Sequence, residues 1–346
     1  MHLLLSVFWW LYILLGLGKC SSFRETKDGF KTLAFSEMRN LRLLRLNYVQ
    51  LSGSYKSFPR GLRWLCMHGF PLSYLPSDLQ MENVVALDMS NSKQRRLWKK
   101  PRMLLSLKFL NLSSCHELVS VGNFSCLPSL EELVLTRCTS LEKVCESIGK
   151  YCQKLQILDL SECSEFPDEM KDMEALKYLW ADNVNIKSHD SSSTTIVEAI
   201  PRGFKNFAVS LPRSLVELSL SNNNLSNESF PGDFSHLSML KFLYLDENPI
   251  DSMPDCVRSL RRLELISFHG CCNLKTVDCA PRTLKHMSIY KCYLLEKVTF
   301  HQGDSSDQVN DVCASSVLPN EVIYRFAFAV KPKTMILSAV MKKYYG

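Results

Sequence analysis

The chain has 346 residues, of which 46% are hydrophobic and 22% are charged. These fractions are near the average for globular proteins, so they exclude a chain that is disordered over most of its length. The formal net charge of +6 is small for this length, and it does not favour nucleic acid as a partner.

The chain opens on an apolar segment. Leu3–Leu17 contains 15 residues without a charged side chain. A membrane-spanning helix needs about 20 apolar residues, whereas the core of a signal peptide needs only about 7–15. Met1 and His2, however, supply no basic residue ahead of this segment. A signal peptide, a membrane anchor and a vestigial start therefore remain open for residues 1–18, and membrane contact is expected only through residues 3–17.

After a lead-in at residues 19–40, one leucine pattern returns along the chain. Leu107, Leu110 and Leu112, followed by Cys115, match the spacing L-x-x-L-x-L-x-x-(N/C), and the spacing recurs with some variation at ten other places. The first positions of the pattern are 41, 62, 84, 107, 130, 155, 176, 215, 240, 263 and 284. Successive positions are 21 to 25 residues apart, except for one step of 39. This period is typical of leucine-rich repeats, and it predicts about 11 of them over residues 41–300.

Within each repeat, the segment x-L-x-L-x alternates with a period of two, which predicts a short strand with its leucines on one side. One repeat cannot bury its leucines alone, so neighbouring repeats must stack and pair their strands in parallel. The predicted fold is an α/β leucine-rich-repeat solenoid, a curved horseshoe with a parallel β-sheet on its concave face. Proline after Leu75 and after Met253 predicts irregular or short helical segments on the convex face.

Seven repeats carry Cys or Asn three positions after the last strand leucine, and we call these residues the ladder. The ladder residues are Cys115, Cys138, Cys163, Asn223, Asn248, Cys271 and Cys292. Their side chains are expected to point inward and to hydrogen-bond the buried backbone of the turn. Free buried thiols favour a reducing compartment. A cytoplasmic location is therefore expected, with the secretory pathway or a membrane as the alternative if residues 1–18 are a working signal.

Two segments depart from the repeat pattern. The step of 39 residues contains a Ser/Thr-rich stretch, which predicts a surface loop inserted near residues 187–212. Residues 301–346 lose the pattern and are predicted to form an irregular tail.

The run from Lys93 to Arg102 is rich in lysine and arginine. Short basic runs can serve as nuclear-targeting or nucleic-acid-binding patches. Here the run falls on the convex side of the third repeat, where Leu97 and Trp98 are expected to pack inward. A solvated convex face is therefore favoured over a nuclear-targeting signal, and no nucleic-acid partner is expected.

The outward side chains of the strands line the concave face, where partners of such solenoids usually dock. Exposed aromatic side chains beside charged ones are typical of interface anchors. The candidate protein-binding residues are Trp64, His68, Asp88, Asn111, Thr136, Arg137, Asp159, Glu162, Tyr178, Trp180, Tyr244, Asp246, Glu247, His286 and Tyr290. The alternative interpretation is a solvated sheet face with incidental aromatic residues.

No catalytic, cofactor-binding or metal site is expected. The motifs G-x-S-x-G and H-E-x-x-H are missing from the sequence. His68, His269 and His286 lie on different repeats, without a cysteine or carboxylate at ligand spacing along the chain. The expected function is binding, without enzymatic activity and without a cofactor.

Four phrases carry a resemblance to a known family. They are Ala34–Leu44 (AFSEMRNLRLL), Phe58–Leu65 (FPRGLRWL), Leu107–Ser113 (LKFLNLS) and Leu141–Gly149 (LEKVCESIG). With them, the chain from about Phe30 to Phe300 resembles the leucine-rich-repeat region of plant Toll/interleukin-receptor-type nucleotide-binding disease resistance proteins.

The resemblance implies a protein-recognition module of plant innate immunity. Such a module would bind a pathogen effector or a nucleotide-binding or signalling domain of a receptor. The family's receptors also carry a phosphate-binding loop, G-x-x-x-x-G-K-[ST], which this sequence lacks. The implied role is thus that of a recognition fragment without the switch. The alternative is a secreted or membrane-attached repeat protein of the extracellular receptor or inhibitor type.

Overall fold

In a computed structural model of the chain, residues 30–142, 148–164, 170–184 and 204–300 are described. Fifteen short strands lie in these ranges. In chain order they are β1 (Phe30–Lys31), β2 (Leu43–Arg45), β3 (Leu51–Ser52), β4 (Trp64–Cys66), β5 (Ala86–Asp88), β6 (Phe109–Asn111), β7 (Glu132–Val134), β8 (Ile157–Asp159), β9 (Tyr178–Trp180), β10 (Glu217–Ser219), β11 (Phe242–Tyr244), β12 (Leu265–Ser267), β13 (Thr276–Ala280), β14 (His286–Ser288) and β15 (Lys297–Phe300).

The main sheet is parallel and contains 11 strands, namely β2, β4 to β12 and β14 in chain order. Each of these strands begins two residues after the first leucine of a predicted repeat. The predicted leucine-rich-repeat solenoid is therefore confirmed. Outside this sheet, β1 pairs with β3 and β13 pairs with β15, both in parallel.

The register of the main sheet explains where the core lies. Leu110 on β6 is level with Leu87 on β5 and with Leu133 on β7, and all three side chains are fully buried. Because neighbouring strands pair at the same repeat position, the inward leucines form continuous columns. Burial of each such leucine contributes about 1.5–3 kcal/mol, which no single repeat could achieve alone.

The return segments of the repeats contain short helical turns. The 3-10 helices are Thr32–Phe35, Tyr55–Ser57, Phe124–Cys126, Asn227–Ser229 and Asp255–Ser259, and the α-helices are α1 (Ile148–Tyr151) and α2 (Phe204–Ser210). Pro254 stands at the N-cap of the last 3-10 helix, consistent with the breaking effect expected of proline. The basic run behaves as predicted, since Leu97 and Trp98 are buried while the lysines beside them are exposed.

The predicted insertion near residues 187–212 is wrong for its last part. Residues 204–210 form α2 instead of a surface loop, and Phe204 and Phe207 are buried in the core. The two rings lie on one helix face because they are three residues apart, and Phe204 packs edge-on against Phe230 at 5.7 Å between ring centroids. Residues 187–203 lie outside the described residues.

The predicted apolar start and the predicted tail at residues 301–346 also lie outside the described residues. Within the described ranges, no helix has the length and apolar composition needed to cross a membrane.

Candidate functional site

The outward face of the main sheet is more enclosed than the sequence suggested. Trp64, Trp180 and Tyr244 retain only 7%, 2% and 4% of their surface exposure. Their predicted role as exposed aromatic anchors is therefore wrong. Parallel pairing sets outward side chains of adjacent strands side by side about 4.8 Å apart, so large rings cover one another.

Part of this face forms a small apolar cluster of its own. Trp64, Cys66, Ala86 and Phe109 are buried together, with Leu43 and Val134 packed at the margin. The cluster occupies the outward positions of strands β2 and β4 to β7. This portion of the face is thus a packed layer, not a set of free side chains.

Polar groups farther along the sheet are satisfied within it. The indole Nε1 of Trp180 donates a hydrogen bond to Oε1 of Glu217 at 2.8 Å. Burial raises the pKa of Tyr244 to about 12, and the nearby carboxylates of Glu217 and Asp246 act in the same direction. Trp180 therefore completes an internal contact, and Tyr244 stays neutral at physiological pH.

Three predicted binding residues shape turns. Asp88, Asn111 and Asp159 are buried at the last position of their strands. Each Oδ1 accepts the backbone N–H two residues later, at 2.9 to 3.1 Å. This local bond is typical of an Asx-turn and fixes the direction in which the chain leaves the sheet. The expectation that these three side chains are exposed on the face is therefore wrong.

The turn after each strand of the main sheet has a residue in the left-handed region at one shared position, and the turn after β10 has a second, Asn224. We call the residues at the shared position the turn row, which consists of Tyr48, Gly69, Asn91, Ser114, Arg137, Glu162, Asn183, Asn222, Glu247, Gly270 and Lys291. Each stands three residues after the end of its strand, and nine of the 11 are not glycine. The φ angles of these nine lie between 51° and 64°.

Most side chains of the turn row are exposed to solvent. Seven of the 11 are classed as exposed, and Tyr48 retains 70% of its surface. Their backbone N–H groups are occupied, since from Tyr48 to Gly270 each donates to a carbonyl of the next repeat, as Arg137 does to Ser161 at 2.9 Å. Along one edge of the sheet, the turn row therefore combines mostly exposed side chains with backbone N–H groups that are bonded from Tyr48 to Gly270.

Three predicted binding residues belong to this row. Arg137 and Glu162 form an ion pair across adjacent repeats, with 2.9 Å between Nε and Oε2. Glu247 is exposed on a later repeat. Of the remaining candidates, His286 and Tyr290 are exposed, whereas His68, Thr136, Tyr178 and Asp246 are half-buried.

The last described repeat adds an aromatic group to the row. The ring of Tyr290 stacks on His269 at 5.2 Å between centroids, and Nζ of Lys291 lies 5.8 Å from the Tyr290 ring. Tyr290 retains 52% of its exposure. This group presents an aromatic and a cation together, which is the combination expected of an interface anchor.

Tyr48, Asn91, Asn183 and Asn222 were not among the predicted binding residues. The signal was available, because every member of the turn row directly precedes the ladder position of its repeat. Asn is a residue that tolerates the left-handed conformation, so its recurrence there is a local indication. The missing step was to treat the turn, not the strand, as the exposed part of the repeat.

The ladder residues close the same turns from the inside. Each ladder cysteine donates its thiol hydrogen to a carbonyl of the preceding repeat; the Sγ–O distance is 3.1 Å from Cys138 to Leu112 and 3.3 Å from Cys115 to Met89. Burial raises the pKa of Cys115 to about 11 and that of Cys163 to about 12. These thiols are therefore neutral donors with little tendency to react.

Asn248 makes a denser set of bonds at the same position. Its Oδ1 accepts the backbone N–H groups of Asn223 and Leu225, both at 3.0 Å. Its Nδ2 donates to the carbonyls of Leu220 and Leu245, both at 2.9 Å. One amide side chain thus satisfies four buried backbone groups in two repeats.

One cluster contradicts the expectation that no histidine has ligand-type neighbours. Cys66, His68 and Asp88 bring one sulfur, one ring nitrogen and one carboxylate oxygen within 4.8 Å of one another. Cys66 is close to His68 along the chain, whereas Asp88 belongs to the next repeat and comes close only through strand pairing. Burial raises the pKa of Cys66 to about 12, and the charge of Asp88 adds to this effect.

The fold and the ladder define the class of this protein as a leucine-rich-repeat solenoid. A family model described as Leucine Rich Repeat matches residues 214–237. The functional domain of InlJ from Listeria monocytogenes superposes with a TM-score of 0.50, at 14% identity, over 77% of this chain and 54% of that one. This structural likeness concerns the fold alone.

The sequence relatives are plant disease resistance proteins, as the resemblance implied. Disease resistance protein RPS4B of Arabidopsis thaliana is 28% identical over 76% of this chain and 26% of its own length. TMV resistance protein N of Nicotiana glutinosa is 25% identical over 70% of this chain and 24% of its own length. Disease resistance protein RPP2A of Arabidopsis thaliana is 35% identical over 42% of this chain and 12% of its own length. The chain thus spans about a quarter of the length of the first two relatives.

Proposed function

We propose that this chain is a protein-recognition module of plant defence, which binds its partner along the turn row and the adjoining edge of the concave face. The partner is a pathogen effector protein or a nucleotide-binding or signalling domain of a receptor. The chain acts by binding, without catalysis. The names of the curated relatives support the defence role, and the exposed side chains of the turn row support the binding surface.

The turn row is the observation that carries the proposal. It contains seven exposed side chains, each from a different repeat, and these include Tyr48, Arg137, Glu247 and Lys291. Aromatic, amide and oppositely charged groups are mixed along it, which suits a protein partner better than a polyanion. Because the backbone is already bonded, these side chains can contact a partner without disturbing the sheet.

The experiment that tests this surface is co-immunoprecipitation from leaf cells. The tagged full chain is expressed with each member of a panel of pathogen effectors, and separately with nucleotide-binding domains of resistance proteins. A variant carrying Tyr48→Asn, Arg137→Asn, Glu247→Asn and Lys291→Asn removes the exposed groups and keeps residues that tolerate positive φ. We expect it to reduce binding at least about tenfold, as loss of central interface anchors does.

The matched control carries Lys99→Gln and Lys100→Gln, two exposed lysines of the basic run that lie outside the turn row. It should bind like the unmodified chain. Equal loss in both variants, or no binding of any panel member to the unmodified chain, would contradict the proposal.

We further propose a cytoplasmic location. Four of the five ladder thiols are buried, Cys292 is half-buried, and all five are hydrogen-bonded, which fits a reducing compartment. The glycosylation sequon at Asn111 also argues against secretion. Its side chain retains only 7% of its exposure and accepts a hydrogen bond from Ser113, so a glycan there would disrupt the turn.

The compartment is tested with a fluorescent reporter on the C-terminus, followed by glycosidase treatment. Cytosolic fluorescence without a mobility shift is expected. A secretory-pathway signal with a glycan shift would instead favour the extracellular repeat protein, with Asn123 and Asn224 as exposed acceptors.

A further inference from the structure

We propose that Cys66, His68 and Asp88 form a zinc-binding site on the concave face. The three side chains offer a thiolate, an imidazole nitrogen and a carboxylate oxygen, which are the ligand types that Zn²⁺ prefers in proteins. All three ligand atoms lie within 4.8 Å of one another. The site is independent of the turn row and of the partner proposed for it.

The repeat geometry brings these residues together. Cys66 on β4 is paired in register with Asp88 on β5. His68 stands two residues beyond Cys66, in the turn after β4, and this turn brings its ring nitrogen within 4.8 Å of the sulfur. The thiol and the carboxylate are fixed by the sheet, since Cys66 and Asp88 retain 1% and 2% of their exposure.

The distances suit a tetrahedral ion. Nε2 of His68 lies 3.1 Å from Oδ2 of Asp88. Two ligand atoms that are each about 2.0 Å from a tetrahedral zinc ion stand about 3.3 Å apart, so this pair needs almost no movement. The sulfur lies within 4.8 Å of both atoms. A tetrahedral ion with a zinc–sulfur distance of about 2.3 Å places sulfur about 3.5 Å from the other ligands, so a movement of at most about 1.3 Å completes the set.

Unused hydrogen-bonding capacity in the cluster also supports a metal site. Nε2 of His68 is buried yet has no hydrogen-bond partner of acceptable geometry, although Asp88 is within ion-pair distance. The thiol of Cys66 reaches Oδ1 of Asn47 only at 3.7 Å. In contrast, Oδ1 of Asp88 is already used by the N–H of Ser90, which leaves Oδ2 for the ion.

Three protein ligands leave the fourth position of a tetrahedral ion open. The His68 side chain is 25% exposed although its Nε2 atom is buried, so a fourth ligand from solvent would enter past the His68 ring. A water molecule therefore completes the coordination. The expected site binds one Zn²⁺ per chain.

The first test is metal titration of the purified full chain, in reduced form and after treatment with a chelator. Zn²⁺ is added in competition with a chromophoric chelator, and Co²⁺ is used in parallel as a spectroscopic probe. We expect one equivalent to bind and the cobalt complex to show a thiolate-to-metal charge-transfer band. No binding of Zn²⁺, or a cobalt spectrum without the thiolate band, would overturn the proposal.

The second test locates the ion with Cys66→Ser, His68→Gln and Asp88→Asn. Each should lower zinc affinity by at least about 100-fold, since even loss of an outer-shell contact costs about 10–100-fold. Asp159→Asn is the matched control, because Asp159 holds the same strand position and makes the same turn bond to Ser161. Cys126→Ser is the control for a buried cysteine elsewhere.

Both control variants should bind zinc like the unmodified chain. Circular dichroism verifies that each variant is folded before the affinities are compared. Unchanged zinc affinity in the three cluster variants would place the ion elsewhere and would overturn the proposal.

Discussion

Two side-chain chemistries close the buried turns of this solenoid. The ladder cysteines donate one weak thiol hydrogen bond each, as Cys138 does to the carbonyl of Leu112. The amide of Asn248 satisfies two donors and two acceptors. Both residue types fill the same position, but they leave different numbers of backbone groups unpaired when they are removed.

Asn248→Ala should therefore destabilise the protein more than Cys138→Ala. An unpaired buried group costs about 1–3 kcal/mol, so we expect a loss of about 1–3 kcal/mol for the cysteine and of at least about 3 kcal/mol for the asparagine. Urea unfolding followed by circular dichroism measures both. Asn273→Ala, at an exposed asparagine, should change little. Equal losses for the two ladder variants would contradict this account.

Acid should weaken the ion pairs that Glu264, just before strand β12, forms with Lys241 and Lys285. Hydrogen bonds from Lys241 and Lys285 hold the pKa of Glu264 at about 2, below its ordinary 4.5. Folding favours the carboxylate form of Glu264. Its contribution to the free energy of unfolding is therefore present above pH 4.5 and is lost as the pH falls toward 2.

The urea midpoint, measured at falling pH, should therefore decline less steeply below pH 4.5 in Glu264→Gln than in the unmodified chain. Glu228→Gln, at an exposed carboxylate in a return segment, serves as the control and should follow the unmodified chain. An identical acid decline in Glu264→Gln would show that this contact does not contribute to the stability.

At the scale of the repeat, the turn row depends on backbone conformation. Glu247 has a φ of 56°, and its N–H donates to the carbonyl of His269 at 2.8 Å. A left-handed residue with a Cβ costs roughly 1–2 kcal/mol, and a β-branched side chain is the least tolerated. Every repeat of the main sheet contains such a turn. The left-handed backbone conformation therefore limits the turn row to residue types that tolerate a positive φ.

Two substitutions at this position test the backbone directly. Glu247→Val should lower the free energy of unfolding by about 1–2 kcal/mol, whereas Glu247→Asn should leave it unchanged or raise it slightly. Both changes remove the same charge, so the difference between them isolates the conformational effect. If the two variants unfold at the same urea concentration, the turn does not impose the left-handed conformation in solution.

The repeat elements were predictable because they depend on a short local pattern. The strand positions follow from leucine spacing, as in Leu107, Leu110 and Leu112, and the ladder follows from the same register. The binding face was less predictable, because burial of Trp180 depends on Glu217, which is 37 residues away. For the same reason, the cluster of His68 with Asp88 was invisible in a one-repeat pattern.

At the scale of the molecule, the two terminal strands of the main sheet have a neighbouring repeat on one side only, whereas the central strands have one on each side. Strand β14 at one edge is followed by Tyr293 and Leu294, which retain 77% and 50% of their exposure. Strand β7 lies in the middle, with Leu133 fully buried. In a solenoid each repeat is stabilised only by its neighbours, so a repeat at an edge has half of the stabilising contacts.

Hydrogen exchange should reveal this gradient. We expect the amides of β14 to exchange faster than those of β7, because local opening at the edge breaks fewer contacts. Mass spectrometry of peptic peptides from the full chain measures both segments. Equal protection would mean that chain beyond residue 300, or a second molecule, covers the edge at β14.

The turn row also bears on how such a protein can diversify. Each exposed side chain in the row belongs to a different repeat, and its backbone bonds do not depend on what the side chain is. An exchange of Asn183 or Asn222 for another residue that tolerates the left-handed turn would alter the recognised surface while the leucine columns stay intact. Point mutations can therefore explore new partners one repeat at a time, and duplication of a whole repeat lengthens the surface by one more side chain.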